Sequence, residues 1–300
     1  MVSTPQQSTT VPTIGFLGYS GLVGKHILPE LIKQHDLGTL DLVILHREAS
    51  DLSLIPDHIE RRTITLDAAD LEKNREIVGD LDVVLSAVGA AGFEDQTHLI
   101  DALEGSKRLK TFIHSDFGVN FTSEELQTPG LKIVQIKETI IGYAKEKGVP
   151  LTSVRTGIFD LLVFMFFAAG TDIKNNKQLM FRDSLKNPLR ITTLPYLGYA
   201  VAQLLTRPDQ FTNQTVQLYD FAPSGQELVD ALTDIKNRGP AEMTPYAEED
   251  YQQDLKGDIK TAIRAAFRAK WGDDQWGASD VPPIQGWESQ SLVDLIRSYA

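Results

Sequence analysis

The 300-residue sequence contains no cysteine. This absence excludes disulfide cross-links, cysteine-ligated zinc and thiol nucleophiles. Positive charge is also scarce, since 29 lysine and arginine residues face 41 aspartate and glutamate residues and the net charge is −12. A field of this sign repels the phosphates of nucleic acids, so we expect no nucleic-acid partner.

The sequence also lacks a long hydrophobic run. Its longest apolar stretch, 157–170, is too short to cross a bilayer and contains Asp160. Residues 1–12 are polar and have neither the basic nor the apolar region of a signal peptide, so they are predicted to form a disordered tail. We therefore expect a cytoplasmic protein without a membrane partner.

What the sequence does contain is an alternation of short apolar runs with helix-length amphipathic segments. The runs that predict strands are TIGFLG, LDLVILHR, ERRTITLD, LDVVLSAVG, LKTFIHSD and VPLTSVRTGIF. Strands joined through helices form parallel sheets with right-handed crossovers. The predicted fold class is therefore α/β, a Rossmann-type doubly wound parallel sheet with a smaller C-terminal substrate lobe.

Glycines follow the first predicted strand at a regular spacing and open the first helix. In this position a glycine allows a sharp turn, a close approach of backbone amides to a diphosphate, and tight helix–strand packing. A Walker A phosphate loop does not fit, because His26 stands where serine or threonine is required. We expect this loop to bind a dinucleotide through Gly18, Tyr19, Ser20, Gly21, Leu22, Val23 and Gly24.

The end of the second predicted strand indicates which dinucleotide is bound. An NAD site usually has an acidic residue there, which accepts from the ribose 2′-hydroxyl. This strand ends instead on His46 and Arg47. A guanidinium suits the 2′-phosphate of NADP, so we expect NADPH as the cofactor.

Two lysines on one predicted helix are candidates for proton transfer. Tyr143 and Lys147 have the Tyr-x-x-x-Lys spacing of short-chain dehydrogenases, but Lys147 lies at the very end of its helix. Lys137 lies about three turns earlier among apolar neighbours, where its ammonium would be partly desolvated. We therefore favour Lys137 over the Tyr143–Lys147 pair.

These features resemble the NmrA-like, isoflavone reductase-like family of atypical short-chain dehydrogenases. The resemblance covers roughly residues 13–235 and is carried by GYSGLVGKHI, DVVLSAVG, FIHSDFGVN and the spacing from Ser115 to Lys137. The sequence departs from the family where His114 replaces a proline, where Asp116 replaces a glutamate, and where YLG at 196–198 stands in place of DIG.

The resemblance implies a set of site residues. Lys137 and Ser115 would be catalytic, and Lys137 would also contact the cofactor. The remaining cofactor contacts implied by the family pattern are Ala87, Val88, Gly89, Gly157, Ile158 and Phe159. The family's preference for NADPH agrees with Arg47. Candidates to line an apolar substrate pocket are Phe159, Phe164, Phe166 and Phe167.

The resemblance also implies a division of the chain and a reaction. Residues 13–156 would form the NADP-binding domain with 190–222 returning to it, and 157–189 with 223–300 would form the substrate lobe. We expect an NADPH-dependent reductase of an aromatic or conjugated small molecule in secondary metabolism, without a metal, as a monomer or homodimer. Two alternatives stay open: a non-catalytic NADP-binding redox sensor of a protein partner, and a biosynthetic isomerase or cyclase.

Overall fold

A computed structural model describes residues 11–236, 239–277, 279–280 and 284–300 of the chain. Residues 1–10 of the predicted disordered tail lie outside the described residues. Across the rest, strands and helices alternate as the apolar pattern predicts.

The core of the molecule is one eight-stranded sheet in which every pair of neighbours is parallel. Its strands are β1 (Thr13–Leu17), β2 (Asp41–His46), β3 (Glu60–Thr63), β4 (Val83–Ser86), β5 (Thr111–Ile113), β6 (Leu151–Thr156), β11 (Thr215–Leu218) and β13 (Ser279–Asp280). Their spatial order is β13-β11-β6-β5-β4-β1-β2-β3. This order is that of the doubly wound dinucleotide-binding fold, and it confirms the predicted fold class.

Helices cover both faces of the sheet. They are α1 (Gly24–Asp36), α2 (Leu71–Val78), α3 (Gln96–Leu103), α4 (Lys132–Glu146), α5 (Asp160–Phe164), α6 (Leu194–Leu205), α7 (Gly225–Lys236), α8 (Glu248–Asp254), α9 (Ile259–Gly272) and α10 (Leu292–Arg297). α1 and α6 pack their apolar stripes on one face of the sheet, and α3 and α4 pack on the other. Both faces of the strands are therefore buried, which explains why their sequences read as continuous apolar runs.

The C-terminal half of the chain also forms short strands outside the main sheet. β7 (Ile158–Phe159) pairs with β10 (Ile191–Thr192), and β9 (Lys177–Met180) lies between β8 (Thr171–Asp172) and β12 (Glu242–Pro245). A third buried apolar cluster joins these segments to α7, α9 and α10. The proposed boundaries between a cofactor domain and a substrate lobe stay a prediction.

α7 begins with a capping box, a reciprocal pair of hydrogen bonds between Ser224 and Glu227. The Ser224 amide donates to Glu227 Oε2 at 2.7 Å, and the Glu227 amide donates to Ser224 Oγ at 3.3 Å. This reciprocal capping satisfies backbone donors that the first helical turn leaves without partners.

Replacing Ser224 with alanine is expected to lower the free energy of unfolding by about 1 kcal/mol, because one of these two bonds is lost. Urea denaturation of the purified variant measures the change. The matched control is Ser123→Ala, at an exposed loop position. Equal stability of the two variants would show that the capping box contributes nothing.

Candidate functional site

A cleft of about 320 Å³ opens at the carboxyl ends of β1, β2 and β4. α1, which follows β1, covers one face of the sheet, and α3, which follows β4, covers the other. Because the connections leave the sheet in opposite directions here, a crevice forms at this point, which is where doubly wound folds bind nucleotides. Residues of the cleft include Gly18, Tyr19, Ser20, Gly21, Arg47, Ser50, Ala87, Val88, Gly89 and Gly92.

The glycine loop forms a close-packed turn at the base of this cleft. Gly18 has φ +89°, and a Cβ there would lie 2.6 Å from the carbonyl oxygen of Ala87. A Cβ at Gly24 would lie 2.0 Å from the Gly18 oxygen. Neither position accepts a side chain, so the loop depends on glycine for its shape.

The residues between these glycines differ in their accessibility. The cleft is lined by Tyr19, Ser20 and Gly21. Tyr19 is buried, and its hydroxyl donates to the backbone oxygen of Asp51 at 2.7 Å. Leu22 is half exposed, and Val23 occupies the N-cap of α1. The described residues supply no side-chain cap to α1, and the Lys25 amide donates to the Gly21 oxygen at 3.0 Å. The positive end of the helix dipole therefore lies next to the glycine loop and suits an anion.

Arg47 lies on the wall at the end of β2. Its side chain is 61% exposed, and its guanidinium contacts Asp95 Oδ2 at 3.0 Å in the segment after β4. The Arg47 amide donates to Ser50 Oγ at 3.1 Å. This turn brings the Ser50 hydroxyl to the same wall, a position that the sequence analysis missed because the turn has no motif of its own.

Lys137 lies in a buried network of charges. Its Nζ contacts the Asp116 carbonyl oxygen at 2.6 Å and Asp116 Oδ1 at 3.0 Å. Asp116 Oδ2 lies 2.9 Å from Arg155 Nε, and Arg155 in turn contacts Glu138 at 2.9 Å. The Asp116 side chain is fully buried and lies between two cations, so its negative charge is fully compensated.

The Lys137 ammonium also remains reachable. Its side chain is 16% exposed, and its Nζ lies 5.8 Å from the centre of the Phe93 ring, which directly follows Gly92 of the cleft. An ammonium has three N–H donors. The two contacts to Asp116 fix its position and leave one donor for a bound molecule.

Ser115 connects β5 to the cleft wall. Its hydroxyl donates to the Val88 oxygen at 2.7 Å, and its amide donates to Gln96 Oε1 at 2.7 Å. The hydroxyl oxygen retains its lone pairs for a further donor. Ser115 is thereby tied to the segment after β4, but neither Ser115 nor Lys137 is among the described residues that line the cleft.

A strained turn presents the Asp116 carbonyl to Lys137. Phe117 has φ +42° although its side chain is large and buried, a conformation that costs about 1–3 kcal/mol. The next residue, Gly118, accepts from the Thr156 amide at 3.0 Å, which ties the turn to the end of β6. Strain of this kind persists only where its surroundings hold it, as at functional sites.

After Thr156 the chain continues into Gly157, Ile158 and Phe159, the residues predicted to lie near the nicotinamide. A Cβ at Gly157 would lie 2.3 Å from the Arg190 oxygen, so the chain passes close to β10 here. Ile158 is buried and Phe159 is partly buried. None of the three residues lines the cleft formed by the glycine loop, among the residues that the structure describes.

The family departures His114 and Asp116 belong to the same network. His114 Nε2 lies 3.2 Å from Ser153 Oγ and 3.7 Å from Asp116 Oδ2. Burial, opposed by Asp116, lowers the pKa of His114 to about 4. His114 is therefore neutral at physiological pH, and Asp116 takes its countercharges from Lys137 and Arg155.

The alternative pair Tyr143 and Lys147 faces α3 instead. The Tyr143 hydroxyl donates to Asp101 Oδ1 at 2.6 Å, and Lys147 lies 3.3 Å from Glu104. Hydrogen bonding to Asp101 raises the pKa of Tyr143. These contacts hold α4 against α3 and do not involve any residue of the cleft.

The phenylalanines predicted to line a substrate pocket differ in their burial. Phe164 packs in the core, where its ring lies 5.5 Å from that of Tyr299 between centroids. Phe166 and Phe167 are exposed after α5. Phe164 is therefore a packing residue. Phe166 and Phe167 lie at the surface in the segment that follows α5.

Comparison with known proteins gives concordant results. The family model described as the NmrA-like family matches residues 11–266. An isoflavone reductase homologue of Nicotiana tabacum is 26% identical over 145 residues, 46% of each chain. The chain spans between a fifth and about half the length of the curated relatives it matches.

Two solved structures share the fold over nearly the whole chain. A crystal structure of isoflavone reductase has a TM-score of 0.76 and 18% identity, and covers 97% of this chain and 100% of that one. The complex of leucoanthocyanidin reductase with NADPH from Vitis vinifera has a TM-score of 0.71 and 16% identity, with coverages of 96% and 99%. Within the described residues, no helix has the length and apolar character needed to span a membrane.

Proposed function

Because the chain belongs to the NmrA-like family, we propose that it is an NADPH-dependent reductase of an aromatic or conjugated small molecule in secondary metabolism. One observation carries the proposal: a cleft built on side-chain-free backbone and ending in a guanidinium lies beside an anchored, reachable lysine. The names of the relatives, isoflavone reductase homologues and leucoanthocyanidin reductase, support the substrate class.

The described residues fit the proposed coenzyme. The diphosphate would lie against the backbone of Tyr19–Leu22 at the uncapped start of α1, where Gly21 leaves space for it. Arg47 would bind the 2′-phosphate, with the Ser50 hydroxyl beside it. Ala87, Val88 and Gly89 would lie beneath the coenzyme, and Gly157, Ile158 and Phe159 would lie near its nicotinamide.

The chemistry follows from this arrangement. Bound NADPH supplies a hydride to an electrophilic carbon of the substrate. Lys137 Nζ, held by Asp116, donates its remaining N–H to the substrate oxygen that gains negative charge, or protonates it. Ser115 accepts a hydrogen bond from the substrate or the nicotinamide ribose. Phe166 and Phe167 would shield the substrate from water.

Arg47→Ala is expected to weaken NADPH binding by roughly tenfold to a hundredfold, because a charge-assisted bond to the 2′-phosphate is lost. NADH, which lacks this phosphate, should bind as before. Titration calorimetry with both coenzymes measures the effect. Arg297→Ala, at an exposed helix end, is the control. An equal loss of affinity for NADH would contradict the role of Arg47.

The activity itself is tested by incubating the protein with NADPH and a panel of aromatic enones and imines. Oxidation of NADPH in proportion to product supports the reductase. Tight NADPH binding with no turnover, together with a protein partner captured in one redox state only, would support the redox sensor instead. Product formed without net NADPH oxidation would support an isomerase or cyclase.

A further inference from the structure

A second cavity has a volume of about 490 Å³. Its walls come from α1, the start of α5, the start of α6, and the segment 287–299. Among the described residues it shares no lining residue with the cleft of the glycine loop. The proposed reductase mechanism does not use it.

Two residues that line the cavity each have a polar atom without a hydrogen-bond partner among the described residues. Asp160 is only 7% exposed, and its Oδ2 accepts from the Tyr299 hydroxyl at 2.8 Å. Its other oxygen, Oδ1, is buried without a well-formed hydrogen bond in the part of the chain that the structure describes. The same holds for the indole Nε1 of Trp287. Buried polar groups without partners are uncommon in folded proteins, so each calls for an explanation.

The charge of the cavity is negative. Asp160, Asp220 and Glu288 contribute carboxylates, and the described lining residues include neither lysine nor arginine. Burial lowers the pKa of His26, so this wall carries no compensating charge at neutral pH. Burial also raises the pKa of Asp160, and that of Asp220 to about 6.

The two carboxylates differ in how far they are already engaged. Both oxygens of Asp220 accept from Thr193, from its amide at 2.9 Å and its hydroxyl at 2.7 Å. These two hydrogen bonds hold Thr193, the N-cap residue of α6, in place. Asp160 is less engaged, since the Tyr299 hydroxyl donates to its Oδ2 and its Oδ1 has no well-formed hydrogen bond among the described residues. It is therefore the carboxylate of the cavity with acceptor capacity left for a cation.

Aromatic rings complete the cavity. Phe221, Trp287 and Tyr299 line it, and the Trp287 ring is fixed by Tyr196 and Tyr199 at centroid distances of 5.6 and 5.5 Å. Tyr199 also donates to the Gln285 oxygen at 2.8 Å, which anchors this segment to α6. Fixed aromatic faces next to a carboxylate attract organic cations.

We propose that this cavity is a binding site for a small arylalkylamine in its ammonium form. The ammonium pairs with the Asp160 carboxylate, and the ring packs against Trp287 and Phe221. The inference stands on this cavity alone and does not rest on the proposed reductase function.

The test is titration calorimetry of the full chain with 2-phenylethylamine, the neutral 2-phenylethanol and the anionic 3-phenylpropionate. The amine should bind saturably at one site, at least tenfold more tightly than the other two. Asp160→Asn, which keeps the shape and the Tyr299 contact, should weaken amine binding at least tenfold. Asp250→Asn, which removes an exposed carboxylate elsewhere, should leave it unchanged.

Coenzyme binding is titrated on the same samples, so the two proposals can fail separately. Equal binding of the three compounds, an unchanged affinity in Asp160→Asn, or stoichiometric displacement of the amine by NADPH would each overturn the site. If Asp160→Asn does not fold, Trp287→Ala supplies the test, since loss of the aromatic wall should also weaken amine binding at least tenfold.

Discussion

Gly21→Ala is expected to weaken NADPH binding about a hundredfold, or about 2.7 kcal/mol, while the protein stays folded. A Cβ at this position would lie 3.4 Å from the Ala87 oxygen and 3.5 Å from the Gly18 oxygen, which are ordinary contacts. The fold therefore accepts the methyl group. It would stand between the loop amides and the diphosphate, where backbone and phosphate must approach closely.

The measurement is coenzyme titration together with the melting temperature. Gly142→Ala is the matched control, because a Cβ there meets nothing within 4 Å and the residue lies on an exposed turn of α4. That variant should bind NADPH normally and be slightly more stable, since alanine favours helix over glycine. Normal NADPH affinity in Gly21→Ala would contradict the placement of the diphosphate and, with it, the proposed coenzyme site.

Lys137→Met is expected to lower the turnover number about a thousandfold while NADPH binding changes little. The substitution removes the ammonium and keeps most of the aliphatic stem. Asp116 keeps its contact with Arg155, so its charge is not left unpaired. The pre-steady-state rate of NADPH oxidation, measured with the substrate found in the panel, reports the loss directly.

Lys147→Met distinguishes the two lysines of α4. Its contacts with Glu104 and Asp101 lie away from the cleft, so its turnover should equal that of the unaltered protein. A large loss in Lys147→Met with normal turnover in Lys137→Met would transfer the catalytic role to the Tyr143–Lys147 pair. A large loss in both would indicate that α4 acts through its position against α3.

Much of the fold could be predicted from local pattern. The strands of a buried parallel sheet read as short apolar runs, and β1, β2, β4 and β6 were found in this way. The glycine loop was also recognisable, because its three glycines stand at fixed spacing directly after one strand. The capping box of α7 is likewise local, since Ser224 and Glu227 are three residues apart.

The charge network could not be predicted in this way. Asp116, Lys137 and Arg155 lie on three different elements, and they meet only when β5, α4 and β6 pack together. The pattern FIHSDFG contains Asp116, and the spacing from Ser115 indicated Lys137, but neither feature indicated Arg155. The contact of Tyr299 with Asp160 joins residues 139 positions apart, and no sequence spacing indicates it.

Apolar segments outside the sheet were equally ambiguous. Phe164, Phe166 and Phe167 belong to one hydrophobic run, and the sequence does not say which of them faces the core. The fold decides this through the short helix α5, which buries Phe164 and ends before the other two.

The close contact between α1 and α6 limits which residue can stand at position 198. A Cβ at Gly198 would lie 2.0 Å from the His26 oxygen, so the two helices touch backbone to backbone. Position 198 therefore accepts only glycine unless the two helices move apart. Gly198 is therefore required by the spacing of two helices, and it is not among the described residues that line the cleft of the glycine loop.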